Sequence, residues 1–135
     1  MKVIETVIYV MPTPKGRAKV TAFGGHAQMY TPAKTVKAEN EIAYAIRQQC
    51  MGHGVFDVGV PLAVTAIFYV PKPKSASKKV TMPTHKPDLD NYLKLLLDAL
   101  NKFVIPDDSQ VVSIISGKRF SDTPRIELKI SEVLE

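Results

Sequence analysis

Hydrophobic and polar positions follow two rhythms along this chain, and where the rhythm changes an element begins or ends. Lys2 to Val10 alternates, with Val3, Ile4, Val7, Ile8 and Tyr9 supplying β-branched and aromatic side chains, and reads as a strand that Pro12 and Pro14 end. A basic loop, Lys15 to Lys19, follows, and Gly24-Gly25 is a turn signal. Thr31-Pro32 has the form of an N-cap followed by proline at the first helical position, predicting a helix from about Ala33 to Met51 stopped by Gly52 and Gly54. Its apolar face is expected to be Val36, Ala43, Ile46 and Cys50, with Ile42 beside it. Pro61 to Val70 carries Leu62, Val64, Ile67, Phe68 and Val70 and reads as a well-buried strand.

The stretch from Pro71 to Pro87 cannot extend that strand. It holds four prolines and two serines, with Lys78-Lys79 and few apolar residues, so an exposed, mobile loop is expected. A second helix starts at Asp88 or Leu89 and ends near Asn101-Lys102. Leu89, Leu93, Leu96, Leu97 and Leu100 are expected to face the sheet, with Asp90, Asn91, Lys94 and Asp98 within an arc of ~100° on another side. Ser109 to Ile115 and Arg125 to Val133 read as strands joined by a turn with Gly117, Ser121, Asp122 and Pro124. The order strand, helix, strand, helix, strand, strand predicts an α+β (mixed α/β) fold: a small twisted mixed sheet of about four strands with two helices packed on it.

At 135 residues the chain is most simply a single domain, 1–135, burying roughly two thirds of its unfolded surface. An apolar share of 45% is that of an ordinary globular protein. No apolar run approaches the ~18 residues needed to cross a bilayer. Nothing in Met1 to Val10, which contains Glu5, reads as a signal peptide. Cys50 is alone, which excludes an internal disulfide and a cysteine zinc site and fits a reducing, cytoplasmic setting.

Charge changes the picture more. The net charge is +5, and it is segregated. Thr6 to Ala38 contains no acid but has Lys15, Arg17, Lys19, Lys34 and Lys37. Val58 to Pro87 again has none, with Lys72, Lys74, Lys78, Lys79 and Lys86. Solubility alone would intersperse the signs, so these stretches point to a polyanion such as nucleic acid.

Against that background the acids of Lys86-Pro87-Asp88-Leu89-Asp90-Asn91 and Pro106-Asp107-Asp108-Ser109-Gln110 stand out. Each has an ordinary explanation. Asp88 suits a helix N-terminus, Asp90 and Lys94 form an i,i+4 pair worth ~0.3–0.5 kcal/mol, and Pro-Asp-Asp-Ser is good turn chemistry. Yet a helix followed by a short loop and a strand lies back along its sheet, so the loop acids can approach the helix's polar side. Carboxylates converging there repel unless a cation sits between them. Magnesium takes carboxylates, waters and phosphate oxygens, and Asp88, Asp90 and one loop acid supply such a set; it would activate water for phosphodiester hydrolysis. Lys94 could then stabilise charge on the phosphate or the leaving oxygen. Other chemistries lack support. There is no Gly-rich phosphate loop, His26, His53 and His85 are not at zinc-ligand spacing, and no Ser or Cys has a nucleophile elbow.

With those residues in view the chain resembles the RusA family of Holliday-junction resolvases, small endonucleases common in bacterial genomes and prophages. The matching pattern is Lys86-Pro87-Asp88-Leu89-Asp90-Asn91, Lys94, Leu97-Asp98-Ala99-Leu100-Asn101 and Asp107-Asp108-Ser109-Gln110-Val111. The N-terminal strand ending in Pro-x-Pro and a C-terminal Arg-Ile-Glu-Leu strand extend the likeness over nearly the whole chain. The loop Pro12-Thr13-Pro14-Lys15-Gly16-Arg17 departs from it, lacking the Asn-Arg-aromatic run of several members. The resemblance implies a homodimer that binds four-way DNA junctions and cuts two strands symmetrically, with a role in recombination and repair. It implies magnesium as the cofactor (manganese its expected substitute) and no small-molecule cofactor or membrane partner. Carried over by motif position, the metal-binding acids are Asp88, Asp90 and Asp108, with Asp107 the weaker of its pair, and Lys94 is the catalytic lysine. Lys15, Arg17, Lys72, Lys74, Lys78, Lys79 and Lys86 are the expected DNA contacts. A non-catalytic binder of branched DNA and a nuclease for flaps or forks are the rival readings.

Overall fold

Four strands form one mixed sheet in the computed structural model, which describes residues 2–16, 19–23, 26–30, 33–49 and 56–134. They are β1 (Val3–Ile8), β4 (Leu62–Val70), β5 (Val111–Phe120) and β6 (Arg125–Glu132), in the order β1-β6-β4-β5. β6 runs antiparallel to both β1 and β4, whereas β5 is parallel to β4. The expected α+β fold is thus the observed one. A strand pair, β2 (Lys19–Phe23) with β3 (His26–Tyr30), forms a separate antiparallel sheet on either side of the expected Gly24-Gly25 turn, in a stretch for which the sequence predicted no strand. Lys19-Val20-Thr21-Ala22 and His26-Ala27-Gln28-Met29 each alternate polar and apolar residues, a short signal on either side of the expected turn that the sequence reading did not extend into strands. Gly24-Gly25 lies outside the described residues, as does Cys50.

One face of the sheet is buried and the other is not. The register aligns Ile4, Ile130 and Val64 across three strands, and Ile8, Ile126 and Phe68 likewise. All six are nearly inaccessible to water. β4, expected to be well buried, buries alternate residues: Leu62, Val64, Ala66, Phe68 and Val70 face the core, and the residues between them are half-exposed.

Two helices contribute to the core. α1 (Ala33–Gln49) buries Ala38, Ile42, Ala43 and Ile46, but Val36, expected on the apolar face, is 40% exposed. Thr35 and Glu39 take the buried positions instead. α2 (Leu89–Phe103) also turns a different face inward from the one its leucines outline. Tyr92, Leu95, Leu96, Ala99 and Leu100 are buried, whereas Leu89, Leu93 and Leu97 are half-buried. Tyr92 sets this rotation by stacking on Phe68 of β4, with ring centroids 5.3 Å apart.

Parallel neighbours cannot be joined by a tight turn, so β4 and β5 need a crossover, and the 71–87 loop with α2 supplies it. The helix therefore starts at the carboxyl ends of β4 and β5 and runs back toward their amino ends. The loop has no helix or strand and is largely exposed, as expected. A short 3-10 turn, Asp108–Gln110, precedes β5, so that strand starts two residues later than expected and runs to Phe120. Gln110 is buried and its side-chain amide donates to the carbonyls of Asp57 and Val60, both at 2.9 Å. It clasps a turn at Gly59, whose φ of +82° favours glycine. No helix among the described residues is long and apolar enough to cross a membrane.

Candidate active site

The start of α2 shapes a polar cleft of about 350 Å³ lined by Lys15, Gly16, Asp88, Asp90, Asn91 and Lys94. It lies at the carboxyl ends of the parallel strands, where open mixed sheets commonly bind ligands. The ordinary explanations for its acids hold only in part. Asp88 occupies the N-cap position with extended backbone (φ −69°, ψ 147°), but its side chain makes no capping hydrogen bond. Among the described residues no ion pair joins Asp90 to Lys94, although they are one turn apart; both are exposed. Both acids suit the positive end of α2, but neither side chain is tied up in a capping bond or ion pair among the described residues, which leaves both open to a ligand.

The N-terminal loop closes the other side. The Lys15 backbone N–H donates to the Asn91 carbonyl at 2.9 Å, and the Gly16 N–H to Thr35 Oγ1 at 3.0 Å. The Lys15 ammonium reaches Glu39 of α1 at 2.5 Å and Asp98 of α2 at 2.8 Å. Burial works against its charge, but the hydrogen bonds and negative charges of Asp98 and Glu39 outweigh it and hold its pKa above the ordinary lysine value. Lys15, expected as a DNA contact, thus has its charge matched by two carboxylates. Arg17 lies outside the described residues.

Asp107 and Asp108 stand elsewhere. The Ser109 backbone N–H donates to Asp107 Oδ1 at 2.9 Å, and that bond, with others from the same turn, holds the Asp107 carboxyl below the usual carboxylate range. Asp108 is exposed at the first position of the 3-10 turn. Both follow the carboxyl end of α2, and a helix of 15 residues is about 22 Å long. The chain returns along its sheet as expected, but this carries the loop acids to the end of the helix away from Asp88 and Asp90. No three His, Cys, Asp or Glu side chains among the described residues are grouped closely enough to hold a metal. Two carboxylates and an amide in a water-accessible cleft still suit magnesium, which commonly binds one or two carboxylates and completes its shell with water and phosphate oxygens.

The loop lysines lie where the charge pattern put them. Lys74, Lys78, Lys79 and Lys86 are exposed and Lys72 is half-buried. Sequence reasoning missed Glu39, a buried acid at helical spacing from Ile42 and Ile46, and Lys118. Lys118 lies on β5 but donates to the carbonyls of His85 and Pro87 beside the cleft. Its one signal is a cation directly after Gly117, in a strand whose earlier residues are all uncharged.

The chain is basic and α+β, and its cleft at the strand ends is lined by two carboxylates and two lysines. In comparison with known proteins, residues 10–131 match the family endodeoxyribonuclease RusA, and the chain belongs to that family. It is 34% identical to YqaN of Bacillus subtilis (strain 168), an uncharacterized protein, over 98% of this chain and 99% of the relative. It is 30% identical to the crossover junction endodeoxyribonuclease rusA of Lactococcus phage r1t, over 91% of this chain and 92% of the phage protein.

Proposed function

We propose that this protein is a magnesium-dependent endonuclease that resolves four-way DNA junctions by paired nicks, acting in recombination and repair. The observation that carries the reading is the cleft at the start of α2, where Asp88 and Asp90 face solvent without a capping or ion-pair role and Lys94 stands beside them. Asp88 and Asp90 would hold the cation, with Asn91 adjacent. Magnesium bound there would supply positive charge at the scissile phosphate and lower the pKa of the attacking water. Lys94 adds charge to the phosphate oxygens as the water oxygen bonds to phosphorus and the bond to O3′ breaks. The proton that the attacking water gives up to solvent is balanced by one that the departing O3′ takes from it, leaving 3′-hydroxyl and 5′-phosphate ends. The exposed lysines of the 71–87 loop, with no acid among them, supply backbone contacts to DNA.

Asp108 is the third acid of the proposal, and a homodimer is the means by which it joins the other two. β5 is an edge strand whose outer side is unpaired, and it exposes Val112, Ile114 and Ile115 at 62%, 43% and 66%. A long apolar edge of this kind invites another strand. Two-fold symmetry pairs β5 with its own copy antiparallel, which brings the amino end of one strand to the carboxyl end of the other. Asp108 of one subunit then approaches the cleft of the second, and the half-buried Leu89, Leu93 and Leu97 gain cover.

The test is cleavage of synthetic four-way, forked, flapped and linear DNA with and without magnesium. Symmetric nicking of the four-way junction, dependent on the cation, is the expected result. Tight junction binding without cleavage in any divalent metal would establish a non-catalytic binder, and preferred cutting of forks or flaps would move the substrate to another branch.

A further inference from the structure

Asp88 follows a loop of 17 residues, 71–87, without regular structure, and must nonetheless be aimed into the cleft. Most of the restraint comes from β5. Lys118 donates from Nζ to the His85 carbonyl and to the Pro87 carbonyl, each at 3.0 Å, so two of its three N–H groups grip the backbone immediately before Asp88. The His85 ring stacks on Phe120, with centroids 6.1 Å apart. In the parallel register Lys118 lies opposite Phe68 and Phe120 opposite Val70, so both anchors stand beside buried residues of the central strand β4. Phe68 also holds Tyr92 in the first turn of α2. The Asp88–Asp90 segment is therefore fixed from both sides, by Lys118 before it and by Tyr92 after it. A lysine on an edge strand ordinarily extends into water, whereas this one is half-buried and directed at carbonyls of another segment. Its ammonium also places positive charge one peptide group from Asp88, easing the repulsion between the paired carboxylates.

We infer that Lys118 is a positioning residue for the divalent-cation site, setting the backbone from which Asp88 and Asp90 project. This rests on the proposed role of that carboxylate pair. The experiment uses the full chain with Lys118→Met, which keeps the stem and removes the ammonium, and Lys118→Arg, which restores donors and charge. Outer-shell partners of metal ligands typically contribute 10–100-fold in metal affinity. Lys118→Met should therefore raise the half-saturating magnesium concentration for cleavage by about tenfold or more, with most of kcat regained at high magnesium. Calorimetric titration with Mn2+ alone should show the same weakening. Hydrogen exchange without metal or DNA should quicken at residues 88–92 and not across the core, and Lys118→Arg should recover most of each effect. Unchanged metal dependence and unchanged local exchange in Lys118→Met would overturn the inference, as would quickened exchange throughout the sheet, the mark of a general stability role. If the wild-type protein cuts no DNA with any metal, the proposed function fails, but faster exchange confined to 88–92 with weaker Mn2+ binding would still support the positioning role.

Discussion

The Lys15 ammonium and the Glu39 carboxylate meet at 2.5 Å, and Glu39 is 7% exposed on a face of α1 that otherwise packs into the core. With Asp98 added, one lysine fastens the N-terminal loop to both helices and forms a wall of the cleft. Lys15→Met should destabilise the fold by about 1–3 kcal/mol, the usual worth of hydrogen bonds to charged groups. The pH dependence has a definite sign. The folded-state pKa lies above the ordinary 10.5, so the stabilisation is complete below 10.5 and fades as pH rises through the raised value. Denaturant melts of wild type and variant should differ by a constant amount from neutral to mildly alkaline pH and converge above that. The variant's DNA affinity should keep nearly the wild-type salt dependence, because this cation is already matched by two acids.

Asp88→Asn, Asp90→Asn and Asp108→Asn should each nearly abolish cleavage while junction binding persists or tightens, since a negative charge near DNA has been removed. Near wild-type rates in any two of them would refute the metal assignment. Lys94→Ala should lower the cleavage rate at saturating DNA by roughly a hundredfold or more, with a smaller change in affinity, as befits a group acting on transition-state charge. Weakened binding with the saturated rate intact would make Lys94 a phosphate clamp.

Replacing Lys72, Lys74, Lys78 and Lys79 with alanine should weaken DNA binding and flatten its salt dependence, by up to ~0.9 in log–log slope for each phosphate that the loop no longer neutralises. Lys72 is half-buried, so the three exposed lysines should account for most of the change. An unchanged slope in titrations across salt concentrations would show that this loop does not touch the DNA backbone.

The proposed dimer makes two checkable claims. Sedimentation should find a dimer without DNA, and Ile114→Lys combined with Ile115→Lys on the exposed strand should convert it to a monomer that no longer cuts. Mixing Asp88→Asn chains with Asp108→Asn chains should restore nicking, because each mixed dimer contains one site in which Asp88, Asp90 and the partner's acid are all intact. Complete sites within single chains would leave the mixture inactive.

The sequence made some of this legible because local chemistry carries it. Asp90, Asn91 and Lys94 fall within an arc of ~100° on α2, so spacing alone places them on one side, and the structure brings them into one cleft with Asp88, the extended residue just before the helix. Two core strands declared themselves, one through its alternation around Ile4 and Ile8 and the other through the apolar run from Leu62 to Val70. Tertiary choices were hidden. Which α2 stripe faces the core depends on Tyr92 finding Phe68, a contact formed only when β4 and α2 meet. Lys15 reads as a free cation until α1 and α2 bring Glu39 and Asp98 to it. The direction of the crossover, which separates Asp108 from Asp88, is fixed by the parallel pairing of β4 with β5, and no short-range pattern encodes that.

If Asp88, Asp90 and Asp108 are all needed for cutting, their placement at opposite ends of one helix has a consequence for the cell that makes this protein. On the proposed dimer, a newly made subunit would carry no complete cutting centre, so at low copy number it would spare the chromosome around it. Cutting capacity would rise with roughly the square of subunit concentration until pairing saturates. Because two-fold pairing would complete both centres together, such an enzyme would arrive at DNA with both blades or with none, and a junction would not be left half-opened for want of the second.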